Sequence, residues 1–390
     1  MVKSRLICLI IAGISVMLLA GCWDRVEIEQ RGFVLGAAID IAEEQTDDEL
    51  QLTLTAQIVV PSGLGTPTGG GSKKKAYMNI SATGHSLFAI ERELAQKTSR
   101  SPYFQHLKMV IISEDVASKP NLFSSLMDFF IRDHEMRRGN RVIIMDGRPI
   151  EALEATSDNE NIPTIYIESM MDNSFKNADV LTPLRVGKIH GYLVTEQSFV
   201  IPKIEMKGNR VKYEGGAVFN GGKNRVVGTL NSKELKGMNL ITGKIQGGLI
   251  KTELNEHLTT TEILRTKSNM SITSLQQNNV KASIKIDLSG KVAETFSSID
   301  VANKRNLEKL EMKTEQKITK LVERTVEKAQ QDLHTDVLGV EQLLKQHHYD
   351  FWKKIKDNWD HGKNYFTNSD ITVQVNVNIR ATGGVDQTSD

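Results

Sequence analysis

The spacing of apolar positions along the chain predicts its elements. Gly32-Phe33-Val34-Leu35-Gly36-Ala37-Ala38-Ile39-Asp40 is a nearly unbroken apolar run, the pattern of a strand covered on both faces. Leu50 to Val60 follows with alternation and β-branched residues, and the polar turn Glu43 to Asp48 between the two predicts a hairpin. Met78 to Thr83 reads as a short strand. Ser86 to Lys97 reads as an amphipathic helix with Leu87, Ile90, Leu94 and Ala95 on one face. A buried strand at Leu107 to Ile112, a helix at Asn121 to Ile131, a strand at Arg141 to Met145 and a short helix at Pro149 to Ala155 continue the alternation. Asn161 to Pro202 is punctuated by Pro163, Pro183 and Pro202, with strands expected at Tyr192-Leu193-Val194 and near Val200-Ile201. Lys207-Gly208-Asn209 is a turn and a candidate boundary.

Beyond it the texture changes. Gly215 to Phe219 and Arg225 to Leu230 flank Asn220-Gly221-Gly222-Lys223-Asn224, a hairpin signal. A short helix at Ser232 to Met238 and strands at Gly247 to Leu254, Ser268 to Leu275 and Val280 to Leu288 follow. Val301 to Leu333 is the longest helix, with Leu307, Leu310, Ile318, Leu321, Val322, Val326 and Ala329 at three- and four-residue steps. Lys309, Lys313, Lys317, Lys320, Arg324 and Lys328 form a basic stripe on another face. They could meet anionic lipid or an acidic partner, but Glu308, Glu311, Glu315, Glu323 and Glu327 nearby favour a plain solvated face. A second helix spans Val340 to Asp357. Ile371, Val373, Val375, Val377 and Ile379 then alternate without a fault, the mark of a closing antiparallel strand with one buried face, and Gly383-Gly384 opens a polar tail. The expected class is α+β and multi-domain, with small mixed or antiparallel sheets and a long C-terminal amphipathic helix.

The first residues carry the most specific chemistry. Lys3 and Arg5 precede an apolar run from Leu6 to Ala20, which suits a signal peptide and is short of the about 20 residues a membrane span needs. It ends in Leu19-Ala20-Gly21-Cys22, a lipoprotein cleavage box. Cleavage there makes Cys22 the first mature residue and the site of lipid attachment, with S-diacylglycerol on its sulfur and an N-acyl chain on its newly freed α-amino group. Two or more chains hold a protein at a membrane where one myristoyl chain holds it only marginally. The only other cysteine is Cys8, which leaves with the leader, so the mature chain has no disulfide, thiolate nucleophile or cysteine zinc site. A mature chain of about 370 residues is long enough to be stabilised by burial in two or three domains. With 49 basic and 48 acidic residues, the balance argues against a nucleic-acid binder.

The remaining candidates are weaker. The glycine-rich stretch from Pro61 to Lys75 lacks the Gly-x4-Gly-Lys-Ser/Thr order, because Ser72 precedes Lys73, and it fits a surface loop better than a phosphate loop. His134-Glu135 begins like a zinc helix, but Arg138 stands where the second histidine belongs. His106 before a buried strand fits a structural histidine, Arg132-Asp133 and Arg137-Arg138 fit local ion pairs, and His334, His347 and His348 fit surface positions. No Gly-x-Ser-x-Gly elbow is present. The expectation is no catalytic residue, no metal and no cofactor.

Several marks together, in order and spacing, resemble the Ger(x)C lipoproteins, the C subunits of nutrient germinant receptors in spore-forming bacteria. They are Gly21-Cys22-Trp23-Asp24 with Glu27, Gly36 to Asp40, His106 leading into Val110-Ile111-Ile112, and Arg132-Asp133. Further on stand Gly216-Ala217-Val218-Phe219, Val227-Gly228-Thr229-Leu230, Gln331-Asp332, Asp336-Val337-Leu338-Gly339, Trp352, Trp359 and Val373 to Gly383. The resemblance implies a three-domain α+β subunit without enzymatic activity. It would be lipid-anchored through Cys22 on the outer face of the cell membrane (the inner spore membrane) and work beside receptor A and B subunits. The expected division is a signal peptide at 1–21, an N-terminal region at 22–206 of two subdomains, and a C-terminal α+β domain at 207–390. The alternative is a solute-binding lipoprotein that delivers a small nutrient to a transporter. The long C-terminal helices and the closing antiparallel strand fit that alternative poorly, since it needs two α/β lobes around a cleft.

Overall fold

The structure is a computed structural model that describes residues 27–44, 49–64, 74–173, 177–245, 247–254, 256–276, 279–295 and 303–380, together with Arg5. Cys22 with its apolar leader, the glycine-rich segment at 65–73 and the tail from 381 lie outside the described residues.

A mixed ten-stranded sheet forms the larger unit. Its path runs β10 (Arg225–Asn231), β9 (Arg210–Asn220), β8 (Phe199–Lys207), β6 (Arg141–Met145), β5 (Met109–Ser113), β1 (Arg31–Ile41), β2 (Leu52–Val59) and β3 (Tyr77–Gly84). Short β4 (Ser101–Tyr103) lies beside β1, and β7 (Leu184–Arg185) beside β6. The middle pairs β1–β5, β5–β6 and β6–β8 are parallel; β1–β2–β3 and β8–β9–β10 are antiparallel flanks. The parallel middle is buried on both faces, which explains its unbroken apolar runs. Val110 and Ile112 face a core built with α1 (Leu87–Gln96), α2 (Glu114–Ser118), α3 (Leu122–Arg132) and α6 (Val186–Val194). Met109 and Ile111 face the other way, onto α4 (Pro149–Ala152) and α5 (Pro163–Asp172). Each such fully buried side chain stabilises the fold by about 1.5–3 kcal/mol.

A buried polar knot fixes α5 on the sheet. Gln57 Oε1 accepts from the Thr164 backbone N–H (3.1 Å) and hydroxyl (2.8 Å), while its amide donates to the Leu153 carbonyl (2.6 Å). Gly36 permits this approach, because a Cβ there would stand 2.1 Å from Thr164 Oγ1.

The C-terminal unit follows directly from β10. α7 (Ser232–Ile241) opens with a capping box, in which Asn231 and Glu234 satisfy each other's backbone donors. A four-stranded sheet then forms in the order β11 (Leu249–Leu254), β12 (His257–Gln276), β13 (Asn279–Thr295) and β14 (Asp370–Arg380). α8 (Lys304–Glu327) and the π turn Lys328–Asp332 pack across one face of it, followed by α9 (Val340–His347) and α10 (Tyr349–Ile355). α7 and α8 meet at Gly237, where a Cβ would lie 2.0 Å from Thr325 Oγ1. The Thr325 hydroxyl is placed to donate to the carbonyls of Glu234 (3.2 Å) and Leu321 (2.9 Å). The edge of β14 is covered too: the backbone N–H groups of Val377 and Ile379 donate to Glu315 (2.9 Å) and Glu311 (2.8 Å) of α8. Capping an edge in this way removes a template for unwanted strand pairing.

The α+β class with mixed and antiparallel sheets and a long C-terminal helix holds. Four local expectations change. β14 pairs with β13 in parallel, Lys281 opposite Asp370 through Lys291 opposite Arg380, because α8 to α10 return the chain to the strand's starting end. Alternation marks one buried face and is blind to strand direction. Tyr192-Leu193-Val194 is the last turn of α6 and not a strand; Gly187 and Gly191 hide the helix in the sequence, yet Val186 and Ile189 bury one of its faces. Val340 to Asp357 is broken at His348 (φ −138°, ψ 45°) into α9 and α10. Ala95 is exposed and does not join the buried Leu87, Ile90 and Leu94. The turn at Lys207 to Asn209 joins β8 to β9 within one sheet, so paired strands lie on both sides of it.

Candidate functional site

The most developed polar centre joins the large sheet to the C-terminal helices. Asp336, just before α9, is fully buried and its carboxylate accepts from five donors. Oδ1 takes the N–H groups of Leu338 (3.1 Å), Gly339 (3.0 Å) and Val340 (3.4 Å). Oδ2 takes the Glu341 N–H (2.6 Å) and the Trp359 indole (2.9 Å). Asp336 therefore satisfies the orphan donors that open a helix, and holds a tryptophan 23 residues further on. Burial pushes its carboxyl up, aided by Asp360, against the downward pull of these donors.

Asp360 extends the centre. Its Oδ2 accepts from the Ser198 hydroxyl (2.5 Å) and the Asp336 N–H (3.3 Å), and its Oδ1 lies 3.2 Å from His361 Nδ1. Ser198 Oγ in turn accepts from Gly221 N–H (3.0 Å). Asn220, at the end of β9, donates to the Thr335 hydroxyl (2.9 Å) and the Asp360 carbonyl (3.1 Å). Gln330, in the π turn, donates to the carbonyls of Phe366 (2.9 Å) and Ser369 (2.8 Å). Trp352, Trp359 and Phe366 close the apolar side, with centroids 6.2 Å and 5.8 Å apart in sequence. The hydrogen bond to Asp360 raises the His361 imidazole above its ordinary value.

Beside this centre lies a cleft of about 520 Å³, bounded by Tyr192, Asn239, Lys244, Ser268, Glu341 and Gln342 among others. Glu341 is buried, which pushes its carboxyl up to about 7, and it pairs with Lys345 of the same helix. Lys345 also lies over the Trp352 ring, 5.1 Å from its centroid. The carboxylates here are occupied by donors from the chain itself. The arrangement positions segments that lie far apart in the sequence.

Two further charged clusters sit in the large unit. Lys203 of β8 is 4 % exposed, with its ammonium 2.7 Å from Glu114 and 3.2 Å from Glu214. Burial opposes its charge, but the bonds and charges of Glu114 and Glu214 prevail and raise it. Glu91 of α1 stands near Asp133 and Glu135; burial first, then these two charges, pushes it up to about 7.

The residues singled out from sequence are dispersed. Cys22 lies outside the described residues. His106 closes a 3-10 turn with its ring against Phe33 (5.0 Å) and Tyr103 (5.9 Å) beside the start of β1, while Arg31 caps the Tyr103 face at 3.9 Å. His134 and Glu135 follow the end of α3 in a turn, so the zinc-helix resemblance has no helix beneath it. Arg132 forms a local ion pair, as expected, with Asp128 (2.5 Å) one helical turn back. His334 and His347 are exposed and His348 is half-buried at the helix break. No group of three metal-ligating side chains converges among the described residues. The Asp336–Asp360 centre was not anticipated. The signal was an aspartate three residues before Gly339 at a helix start, together with a tryptophan needing an acceptor.

Two family models match the chain: spore germination protein N-terminal domain over residues 24–206, and spore germination B3/GerAC like, C-terminal, over residues 214–383. Spore germination protein YndF of Bacillus subtilis (strain 168) is 31% identical over 402 residues, covering 98% of this chain and 98% of its own. The chain belongs to the GerAC-like family of spore germination proteins. Within that family, spore germination protein B3 of the same organism is 26% identical, with 93% of this chain and 94% of B3 aligned. The crystal structure of the GerBC protein superposes with a TM-score of 0.60 at 21% identity, covering 90% of this chain and 99% of that one, which supports the same fold. The family-model matches include Asp336, Trp359 and Asp360 in the C-terminal part, and the GerAC-like likeness runs from the connector after Cys22 to the end of β14. Among the described residues, no helix is long and apolar enough to cross a membrane.

Proposed function

We propose that this GerAC-like protein is a lipid-anchored subunit of a spore germinant receptor. In this reading it is required for the germination response to nutrients and acts as a non-enzymatic assembly or signalling component beside A and B subunits. The observation that carries the reading is the Leu19-Ala20-Gly21-Cys22 box, at the head of a chain whose family membership spans nearly its whole length. Cys22 carries the diacylglyceryl thioether and the N-acyl chain, and the mature protein lies on the outer face of the membrane. The working division is a leader at 1–21 and receptor-subunit regions at 22–206 and 207–390. Support for a positioning role comes from the Asp336–Asp360 centre, whose carboxylates bind the chain's own donors and of which Asp360 accepts from Ser198 across the two regions. Deleting the gene should lower the response of spores to particular nutrients. The wild-type gene should restore it and a Cys22→Ala gene should not. An undiminished response in the deletion strain to every nutrient its parent answers would end the proposal. Calorimetry with candidate nutrients addresses the solute-binding alternative, which requires tight stoichiometric heat.

A further inference from the structure

The two charged faces of α8 do different work. Glu311 and Glu315 are turned to β14 and bound to its backbone. They are therefore not available to neutralise the lysines of the same helix. At about 100° per residue, Lys309, Lys313, Lys317, Lys320 and Arg324 fall within an arc of about 80°. All five are exposed, and among the described residues none lies within ion-pair distance of a carboxylate; the pairs of this segment are Lys304–Glu308 and Lys328–Asp332. Lys251 of the edge strand β11 joins Lys313, Lys317 and Lys320 across a shallow groove of about 470 Å³ that also holds Leu258 and one acid, Glu253. Glu327, on the same arc, and the exposed Glu323, about 40° outside it, temper its C-terminal part. On the outward face of β11, Leu249 is 44% exposed and lies two residues from Lys251, while Leu258 is 37% exposed opposite Glu253.

We propose that this face docks on an anionic lipid surface, the headgroup plane of the membrane that holds the Cys22 lipid. The proposal rests on the lipid-anchor reading for the identity of that membrane. Three features select lipid as the occupant. The cations extend about 22 Å along one helix, a flat row and not a pocket. All but one are lysines, whose flexible point charges suit mobile headgroups, whereas paired recognition of fixed carboxylates favours arginine forks. The exposed leucines beside them supply the apolar contact that an interfacial face uses, with lysine stems able to lie along it. Each cation near an anionic leaflet contributes about fivefold to occupancy, falling off within a Debye length.

The test uses the full lipidated protein, purified from membranes and reconstituted into vesicles of phosphatidylcholine, with or without phosphatidylglycerol. With Cys22 blocked by its lipid, Gln316→Cys offers a single thiol for a fluorophore midway along the row, at the border of the arc and in the lining of the groove. Spin-labelled lipid should quench that fluorophore in the anionic vesicles and not in the neutral ones, and added salt should relieve it. Lys313→Glu, Lys317→Glu and Lys320→Glu together should lower docked occupancy by more than about a hundredfold, the loss of three cations alone giving about that much, with unchanged thermal melting, since all three positions are exposed. Equal fluorescence in both vesicle types, or quenching indifferent to the charge reversal, would overturn the proposal. Flotation separates the two readings. Protein that floats with neutral vesicles but is never quenched keeps the anchor and loses the docking face. Protein that binds only anionic vesicles, with quenching, keeps the face and loses the anchor.

Discussion

Replacing Asp336 by asparagine keeps the shape of the side chain and reverses the polarity of one of its ends. Asp336 receives five donors: three on Oδ1, and the Glu341 N–H and Trp359 indole on Oδ2. An amide oxygen in the Oδ1 position can keep the first three. The NH2 group then meets two donors, and both lose their acceptor in a site closed to water. A buried polar group left unsatisfied costs about 1–3 kcal/mol, so two give a loss of about 2–6 kcal/mol. The opposite amide orientation strands three donors and is worse. Against a typical total of about 5–15 kcal/mol this is a large fraction. Urea titration followed by tryptophan fluorescence reads it directly, since Trp359 is itself a ligand of the carboxylate. Asp336→Ala should lose more than Asp336→Asn, and both should leave the m-value near wild type. A loss below about 1 kcal/mol for Asp336→Asn would refute the claim that this carboxylate organises the junction.

Other consequences follow from the same structure. Glu91 and Glu341 have folded carboxyls raised to about 7, above their usual value of 4.5. The folded state therefore holds more protons than the unfolded one between those values, and stability should fall as pH rises through that window. Glu91→Gln should flatten the slope in a pH series of melting temperatures, and an unchanged slope would count against its burial. Gly237→Ala places a methyl 2.0 Å from Thr325 Oγ1 and should destabilise by about 1–3 kcal/mol, in part restored by Thr325→Ala. Glu311→Ala with Glu315→Ala should expose the edge of β14, seen as faster hydrogen exchange at Val377 and Ile379 and a greater tendency to aggregate; the glutamine pair, which keeps its acceptor oxygens, should show much less of both.

Much of the fold was legible in the apolar pattern, for definite reasons. Arg141 to Met145 was readable because a strand buried on both faces has no polar break, and Ile371 to Ile379 because one buried face alternates. The same pattern could not reveal that β14 runs parallel to β13, since direction is decided by where α8 to α10 return the chain. α6 was hidden because Gly187 and Gly191 weaken the helical signal that Val186 and Ile189 carry in packing. The basic stripe of α8 was visible as spacing. Its lack of partners was not, because only the position of β14 shows that Glu311 and Glu315 are engaged elsewhere. The Asp336–Asp360 centre was illegible for a similar reason: Ser198 and Asp360 are 162 residues apart, and their hydrogen bond exists only once both units are folded.

Within the proposed function, everything placed at the membrane depends on one covalent event at Cys22. Trypsin digestion of the protein extracted from spore membranes, followed by mass spectrometry, tests that event at the residue concerned. The account predicts a peptide from Cys22 to Arg25 that begins at the cysteine and carries the mass of a diacylglyceryl group and an acyl chain, with no peptide containing Leu6 to Ala20. An unmodified peptide from Leu6 to Arg25 would contradict it.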